Sequence, residues 1–123
     1  MAKILIAEDE QDIRELVAFA LRFAGHDVIT FTNGHEACEN SKEIMPDLIL
    51  LDVMMPVMTG YEACEKIKSN PATTHIPIVF LSAKGQETEI QAGLNAGACE
   101  YLLKPFAPDE LAKQIQIILD KFS

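Results

Sequence analysis

Five short apolar runs punctuate the chain, and each is followed by a stretch of helical periodicity. Lys3–Ala7 (KILIA), Asp47–Leu51 (DLILL) and Ile76–Leu81 (IPIVFL) are near-continuous hydrophobic runs of strand length, the pattern of strands buried on both faces. Val28–Phe31 reads as a weaker strand near an edge, and Glu100–Leu103 as a short fifth. Between them the spacing predicts a helix over Glu10–Ala24, with Ile13, Val17, Ala20, Leu21 and Ala24 on one face and Gly25 as its stop. Further helices are predicted over Gly34–Ile44, Gly60–Ser69, Gln86–Asn95 and Pro108–Phe122. Asn70-Pro71 closes the third, and Ala107-Pro108 opens the last.

A β-α unit repeated five times predicts an α/β fold with parallel strands, right-handed crossovers and helices on both faces. The flavodoxin-like doubly wound (βα)5 order 2-1-3-4-5 accommodates five strands. It places ligands at the carboxyl ends of the strands, beside the switch point between the first and third. The polar residues just past those strands are therefore the ones to inspect. Strand 1 is followed by Glu8, Asp9 and Glu10, strand 3 by Asp52, strand 4 by Ser82 and strand 5 by Lys104-Pro105. One sheet edge thus collects several acids, a hydroxyl and an ammonium.

Crowded carboxylates raise one another's pKa unless a cation sits among them. Mg²⁺ suits oxygen ligands and works beside phosphate oxygens, so Asp9 and Asp52 are candidate direct ligands, with a backbone carbonyl after Asp52 as a third. Glu8, one methylene longer, is expected to act through water. The Asp52 carboxylate can attack phosphorus to give an acyl phosphate, with Lys104 and Ser82 placed to meet the transferred oxygens.

Composition narrows the class. The chain has 123 residues, 49% of them hydrophobic, and a net charge of −9. That length suits a single domain spanning 1–123 with a real core, not a disordered chain. The acidic balance offers no basic patch for nucleic acid, and no apolar run approaches a membrane span, so a cytoplasmic setting is expected. Cys38, Cys64 and Cys99 lack metal or disulfide spacing and read as small buried hydrophobes. His26, His35 and His75 show no metal spacing and are expected on the surface. Met54, Met55 and Met58 read as packing or loop surface, and Gly60 as shaping the loop before a helix.

Taken together, Glu8-Asp9 after KILIA, LLDVMMP with Asp52 and Pro56, Gly60, Ser82-Ala83 and YLLKPF from Tyr101 to Phe106 make the chain resemble the receiver domain of bacterial two-component response regulators, of the chemotaxis-regulator type. The resemblance spans the whole chain. It implies a phosphorelay switch with Asp52 as phosphoacceptor. It further implies that Glu8, Asp9, Asp52 and the Met54 carbonyl bind Mg²⁺ (or Mn²⁺), directly or through water, and that Ser82 and Lys104 contact the phosphoryl group. A cis bond at Lys104-Pro105 is implied, as is Tyr101 as an aromatic switch following Ser82. The implied partners are a histidine kinase or histidine phosphotransfer domain upstream, and an effector protein or attached effector domain reading the helix 4–strand 5–helix 5 face. Met54 and Lys84 flank the site, where they are expected to tune hydrolysis of the acyl phosphate.

Other readings are weaker. Asp9 as a mere helix cap leaves Asp52 unexplained. A Mg²⁺-dependent hydrolase typically has a second Asp two residues after its nucleophile, where this chain has Met54. A flavin or nucleotide carrier lacks any phosphate-cradling glycine loop. A phosphorylation-independent interaction module leaves the full acid, hydroxyl and lysine set without a purpose. Leu16, Phe19 and Phe23 form a second apolar stripe on helix 1. That stripe predicts either a phosphodonor docking surface or packing against helix 5 near Ile117 and Ile118.

Overall fold

The strands β1 (Lys3–Ala7), β2 (Asp27–Phe31), β3 (Leu48–Asp52), β4 (Ile78–Ser82) and β5 (Glu100–Leu103) alternate with α1 (Gln11–Phe23), α2 (Gly34–Ile44), α3 (Gly60–Ser69), α4 (Glu87–Asn95) and α5 (Pro108–Phe122). These come from a computed structural model that describes residues 2–82, 87–98, 100–104 and 107–122. All strand pairs are parallel, in the order β2-β1-β3-β4-β5. This is the flavodoxin-like topology expected from the sequence, with β2 and β5 as its edges.

The central strands are apolar throughout because alternate residues feed two different cores. Ile4, Ile6, Leu48, Leu50, Val79 and Leu81 meet Val17, Leu21, Leu111 and Ile115 of α1 and α5. Leu5, Ile49, Leu51 and Phe80 meet Ala37, Cys38, Ala63 and Cys64 of α2 and α3. Each fully buried aliphatic side chain contributes about 2 kcal/mol of transfer free energy, so these layers set the strand register. Cys38 and Cys64 are buried as expected, and Cys99 lies outside the described residues.

Several boundaries differ from the sequence reading, among them β2, which begins one residue early at Asp27. β3 and β4 start at Leu48 and Ile78 and run one residue further than expected, to Asp52 and Ser82. Asp52 pairs with Leu81, and Ser82 with Leu103. The two side chains therefore project from paired strand rather than from loop. At the start of α1 the N-cap is Glu10, without a side-chain cap bond, so Asp9 does not cap the helix. At its end, Gly25 N–H bonds to the Arg22 carbonyl and His26 N–H to that of Leu21, with Gly25 at φ 98°. This Schellman closure leaves Ala24 outside the helix and exposed, while Ala18 is buried on the core-facing side.

The same closure turns His26 inward, contrary to the expected surface placement. Its Nδ1 accepts the Ala2 N–H at 3.2 Å, so the ring proton sits on Nε2, which is buried without a partner among the described residues. Burial, and then the positive amino terminus, push the imidazole below its ordinary 6.5. The unfolded chain therefore takes up this proton more readily than the folded one. The contribution of neutral His26 is intact above pH 6.5 and is lost as the pH falls below that value. Other groups titrate in the same range, so the measurement is a difference. Comparing urea midpoints of wild type and His26→Phe between pH 7.5 and 5.5, the wild type should lose ground steadily as the pH drops. A pH-independent gap would show that His26 is not the titrating group.

Candidate functional site

Glu8 N–H bonds to the Phe31 carbonyl at 3.1 Å, which extends the β1–β2 pairing one residue past Ala7 and fixes the backbone from which the Glu8 carboxylate reaches Lys104. One carboxylate oxygen from each of Glu8, Asp9 and Asp52 falls within 4.8 Å of the others. Glu8 and Asp52 are buried, and Asp9 is exposed. Lys104, one residue past β5, places its ammonium between the two buried acids, 2.7 Å from Glu8 Oε1 and 3.2 Å from Asp52 Oδ1. The extra methylene of Glu8 thus carries it into direct contact with Lys104.

The electrostatics follow from burial. Desolvation, only partly offset by Lys104, pushes the Glu8 carboxyl from 4.5 up to about 7. Desolvation also raises Asp52, against the pull of Lys104 and of a hydrogen bond with Glu8. For Lys104, burial works against the ammonium, but the bond to Glu8 and the two carboxylates outweigh it and hold its pKa up. Glu8 and Asp52 therefore share one ammonium, and burial makes both harder to ionise than free carboxyls. The donor set is all oxygen with surplus negative charge, which fits a hard divalent ion such as Mg²⁺ or Mn²⁺ and not a soft metal.

Ser82 is buried at the end of β4, beside Asp52 on the neighbouring strand, and its carbonyl accepts the Lys104 N–H at 2.8 Å. Tyr101 is buried on β5, with its ring 6.0 Å from that of Phe80. Met55 is buried and Met54 exposed. Gly60 does more than shape a loop. Its N–H bonds to the Val53 carbonyl at 2.8 Å, and a Cβ there would strike the Asp52 carbonyl oxygen and come within 3.0 Å of Val53 Cα. Only glycine lets α3 start this close to the strand end that carries Asp52. Ala83, Lys84, Pro105 with its expected cis bond, and Phe106 lie outside the described residues.

Two site features had weak sequence signals. Arg14, on the first turn of α1, donates to the Glu8 carbonyl at 3.0 Å and more loosely to that of Asp9, clamping the acidic loop to the helix. A basic residue six positions after the acid was its only trace. Val57 carries φ 71° at the centre of a γ-turn closed by Met58 N–H to the Pro56 carbonyl at 2.8 Å, and it is 82% exposed. A β-branched residue in that conformation is strained, and Val57 buries little to compensate. Val57→Asn is expected to raise stability by up to about 1 kcal/mol, read as a higher urea midpoint at unchanged m-value.

The second stripe of α1 is exposed, with Phe19 at 67% and Phe23 at 85%. The two rings stack at 6.2 Å and border an apolar groove whose far wall is Pro108, Asp109 and Ala112 of α5. Ile117 is exposed and Ile118 belongs to the core, so neither covers the stripe as one reading expected.

Residues 4–116 match the response regulator receiver domain, and the chain belongs to that family. It is 41% identical over 116 residues to the phosphate regulon transcriptional regulatory protein PhoB of Pseudomonas aeruginosa, an alignment covering 94% of this chain and 51% of that protein. The chain spans about half the length of the curated relatives it matches. Among solved structures it is similar to the chemotaxis response regulator CheY4 of Vibrio cholerae, with 36% identity, a TM-score of 0.91, and 96% and 98% of the two chains covered. It is also similar to the receiver domain of the sensor histidine kinase PA1611 of Pseudomonas aeruginosa, which is described with a magnesium ion coordinated in its active site cleft. There the identity is 29%, the TM-score 0.86 and the coverage 98% and 96%. No helix among the described residues is long and apolar enough to cross a membrane.

Proposed function

We propose that Asp52 is the phosphoacceptor of a two-component switch. The observation that carries this reading is the arrangement of two buried acids on adjacent strand ends, Glu8 and Asp52, sharing the ammonium of Lys104 beside an exposed third acid, Asp9. An Asp52 carboxylate oxygen attacks phosphorus, and the bond from phosphorus to the donor's leaving group breaks. That group departs with the electron pair, as the imidazole of a kinase or phosphotransfer histidine, or as acetate from acetyl phosphate. Lys104, already on Asp52 Oδ1, moves with the new charge onto a phosphoryl oxygen, and the Ser82 hydroxyl donates to another. Glu8, Asp9, Asp52 and the Met54 carbonyl would hold Mg²⁺ or Mn²⁺, which when bound supplies positive charge to the phosphoryl oxygens. The magnesium described for the PA1611 receiver supports that assignment.

The acyl phosphate draws Ser82 inward, Tyr101 follows, and the α4–β5–α5 surface shifts between two populations that a downstream partner distinguishes. The names of the longer relatives support an output in transcription. The reader of that surface is an effector protein or an effector domain, in the cytoplasm. The domain itself spans residues 1–123. Met54 and Lys84 tune water attack on the acyl phosphate.

Incubation with acetyl phosphate and Mg²⁺ should add one labile phosphate by intact mass, absent in Asp52→Asn and in EDTA. An adduct surviving in Asp52→Asn would place the nucleophile elsewhere. No adduct on a folded, Mg²⁺-binding chain would favour a phosphorylation-independent module.

The phosphodonor docks on the α1 groove at Leu16, Phe19 and Phe23. The groove lies on the same helix as Arg14, which holds the Glu8–Asp9 loop. Replacing Phe19 and Phe23 by Ser should slow transfer from the cognate histidine donor about tenfold, while reaction with acetyl phosphate stays unchanged. Equal slowing of both would show that the pair serves the fold and not docking.

A further inference from the structure

Helix α2 supplies no group to the chemistry, yet its first turn stands against the loop that follows Asp52. Gly34 opens the helix and is buried. A Cβ there would lie 2.8 Å from the Met58 carbonyl oxygen, 3.3 Å from that of Thr59 and 3.1 Å from the Ala63 Cβ. The first two are backbone atoms and cannot swing aside, so the missing side chain is what lets α2 touch the loop. One turn along the same face, the Cys38 thiol lies 3.8 Å from the Met58 sulfur and 3.5 Å from the Ala63 carbonyl. The corner leading into α2 is itself tied down. The Asn33 side chain accepts the Glu36 N–H at 2.9 Å, and the Glu36 carboxylate accepts the Thr32 N–H at 3.2 Å. Phe31, three residues before Gly34, holds the Glu8 N–H through its carbonyl. The segment 31–34 therefore touches both halves of the acidic site, the Glu8 backbone at one end and the 53–59 loop at the other.

We infer that this β2–α2 corner is a brace, with Gly34 as its positioning residue, that sets the 53–59 loop and its Met54 carbonyl against the carboxylates of the site. The loop has two anchorages. Gly60 closes its base on the Val53 carbonyl, and Gly34 supports its outer limb at Met58 and Thr59. Val57 lies between them in sequence at φ 71°, and such a conformation persists only where its surroundings over-determine it. The brace supplies part of that constraint. Mg²⁺ demands near-ideal octahedral geometry, so a displaced carbonyl ligand binds it less well. This inference rests on the metal assignment made for Glu8, Asp9, Asp52 and Met54, and it adds the element that holds one of those ligands in place.

Gly34→Ala forces the loop and α2 apart. With MgCl2 as the only ligand, followed by the amide shifts of the loop, the dissociation constant should rise about tenfold, the lower end of what loss of an outer-shell support costs. In the metal-free chain, exchange of the Gly60 amide should quicken about threefold or more, with β4 unchanged. Cys38→Ala adds no bulk and serves if Gly34→Ala does not fold. Losing the thiol from Met58 should weaken Mg²⁺ binding about threefold, the weight of one weak hydrogen bond. Ile44→Ala loosens the same helix roughly 15 Å away, at its far end, and should lower stability while leaving both readouts at their wild-type values. Unchanged Mg²⁺ affinity or unchanged Gly60 exchange in the Gly34 and Cys38 variants would overturn the brace. So would an Ile44 variant that moves both readouts as far as Gly34→Ala does, since helix packing at large would then be responsible. A wild type that takes up no Mg²⁺ would refute the metal assignment, and faster Gly60 exchange in Gly34→Ala would still uphold the brace.

Discussion

Two buried carboxylates and one ammonium set the terms for the functional edge of this domain. Glu8 and Asp52 are both removed from water, and each would be costly to ionise alone. Lys104 stands within hydrogen-bond distance of both, although it comes from the far end of the chain. That contact ties the end of β5 to the ends of β1 and β3. It also keeps the acids near ionisation without satisfying them fully. A site in that condition has an unmet demand for positive charge, which a divalent ion can meet and which a transferred phosphoryl group would increase.

The sheet makes this arrangement rigid. Asp52 and Ser82 are the last paired residues of adjacent central strands, anchored by aliphatic side chains on both faces. The loop after Asp52 carries strain, with Val57 at positive φ, and Gly60 allows α3 to begin against the strand. α4 is held more lightly: Gly93 rests on the Phe80 and Tyr101 rings, Ile90 packs partly buried against the core, and the Glu89 carbonyl accepts from the Tyr61 hydroxyl. A fixed acidic edge beside a lightly held helix is the combination a switch requires: chemistry on rigid strands, and a response in the element that is cheapest to move.

Much of this was legible in the chain. The continuous apolar runs of β1, β3 and β4 identified doubly covered strands, because a strand facing two cores has no room for alternation. Glu8, Asp9, Asp52, Ser82 and Lys104 followed from topology, since the switch-point rule turns strand ends into a location. The misplaced boundaries had a simple origin. A polar residue ending an apolar run reads as loop, while backbone pairing with the next strand keeps it in the sheet, as at Asp52 and Ser82. His26 was misjudged because one histidine carries no burial signal of its own. The Schellman turn decided its place.

The sequence by itself determined the element order, the fold class and the list of chemically capable residues, all of which depend on local periodicity and on residue type. Tertiary structure alone decided which of those residues meet. It brought Lys104 onto Glu8 rather than into solvent, set Arg14 on the acidic loop, and joined the Tyr61 hydroxyl to the Glu89 carbonyl of α4. Contacts between residues tens of positions apart depend on strand order, helix placement and the length of a single side chain. No periodicity along a chain encodes such distances. They emerge only when the sheet has closed and the helices have settled on it.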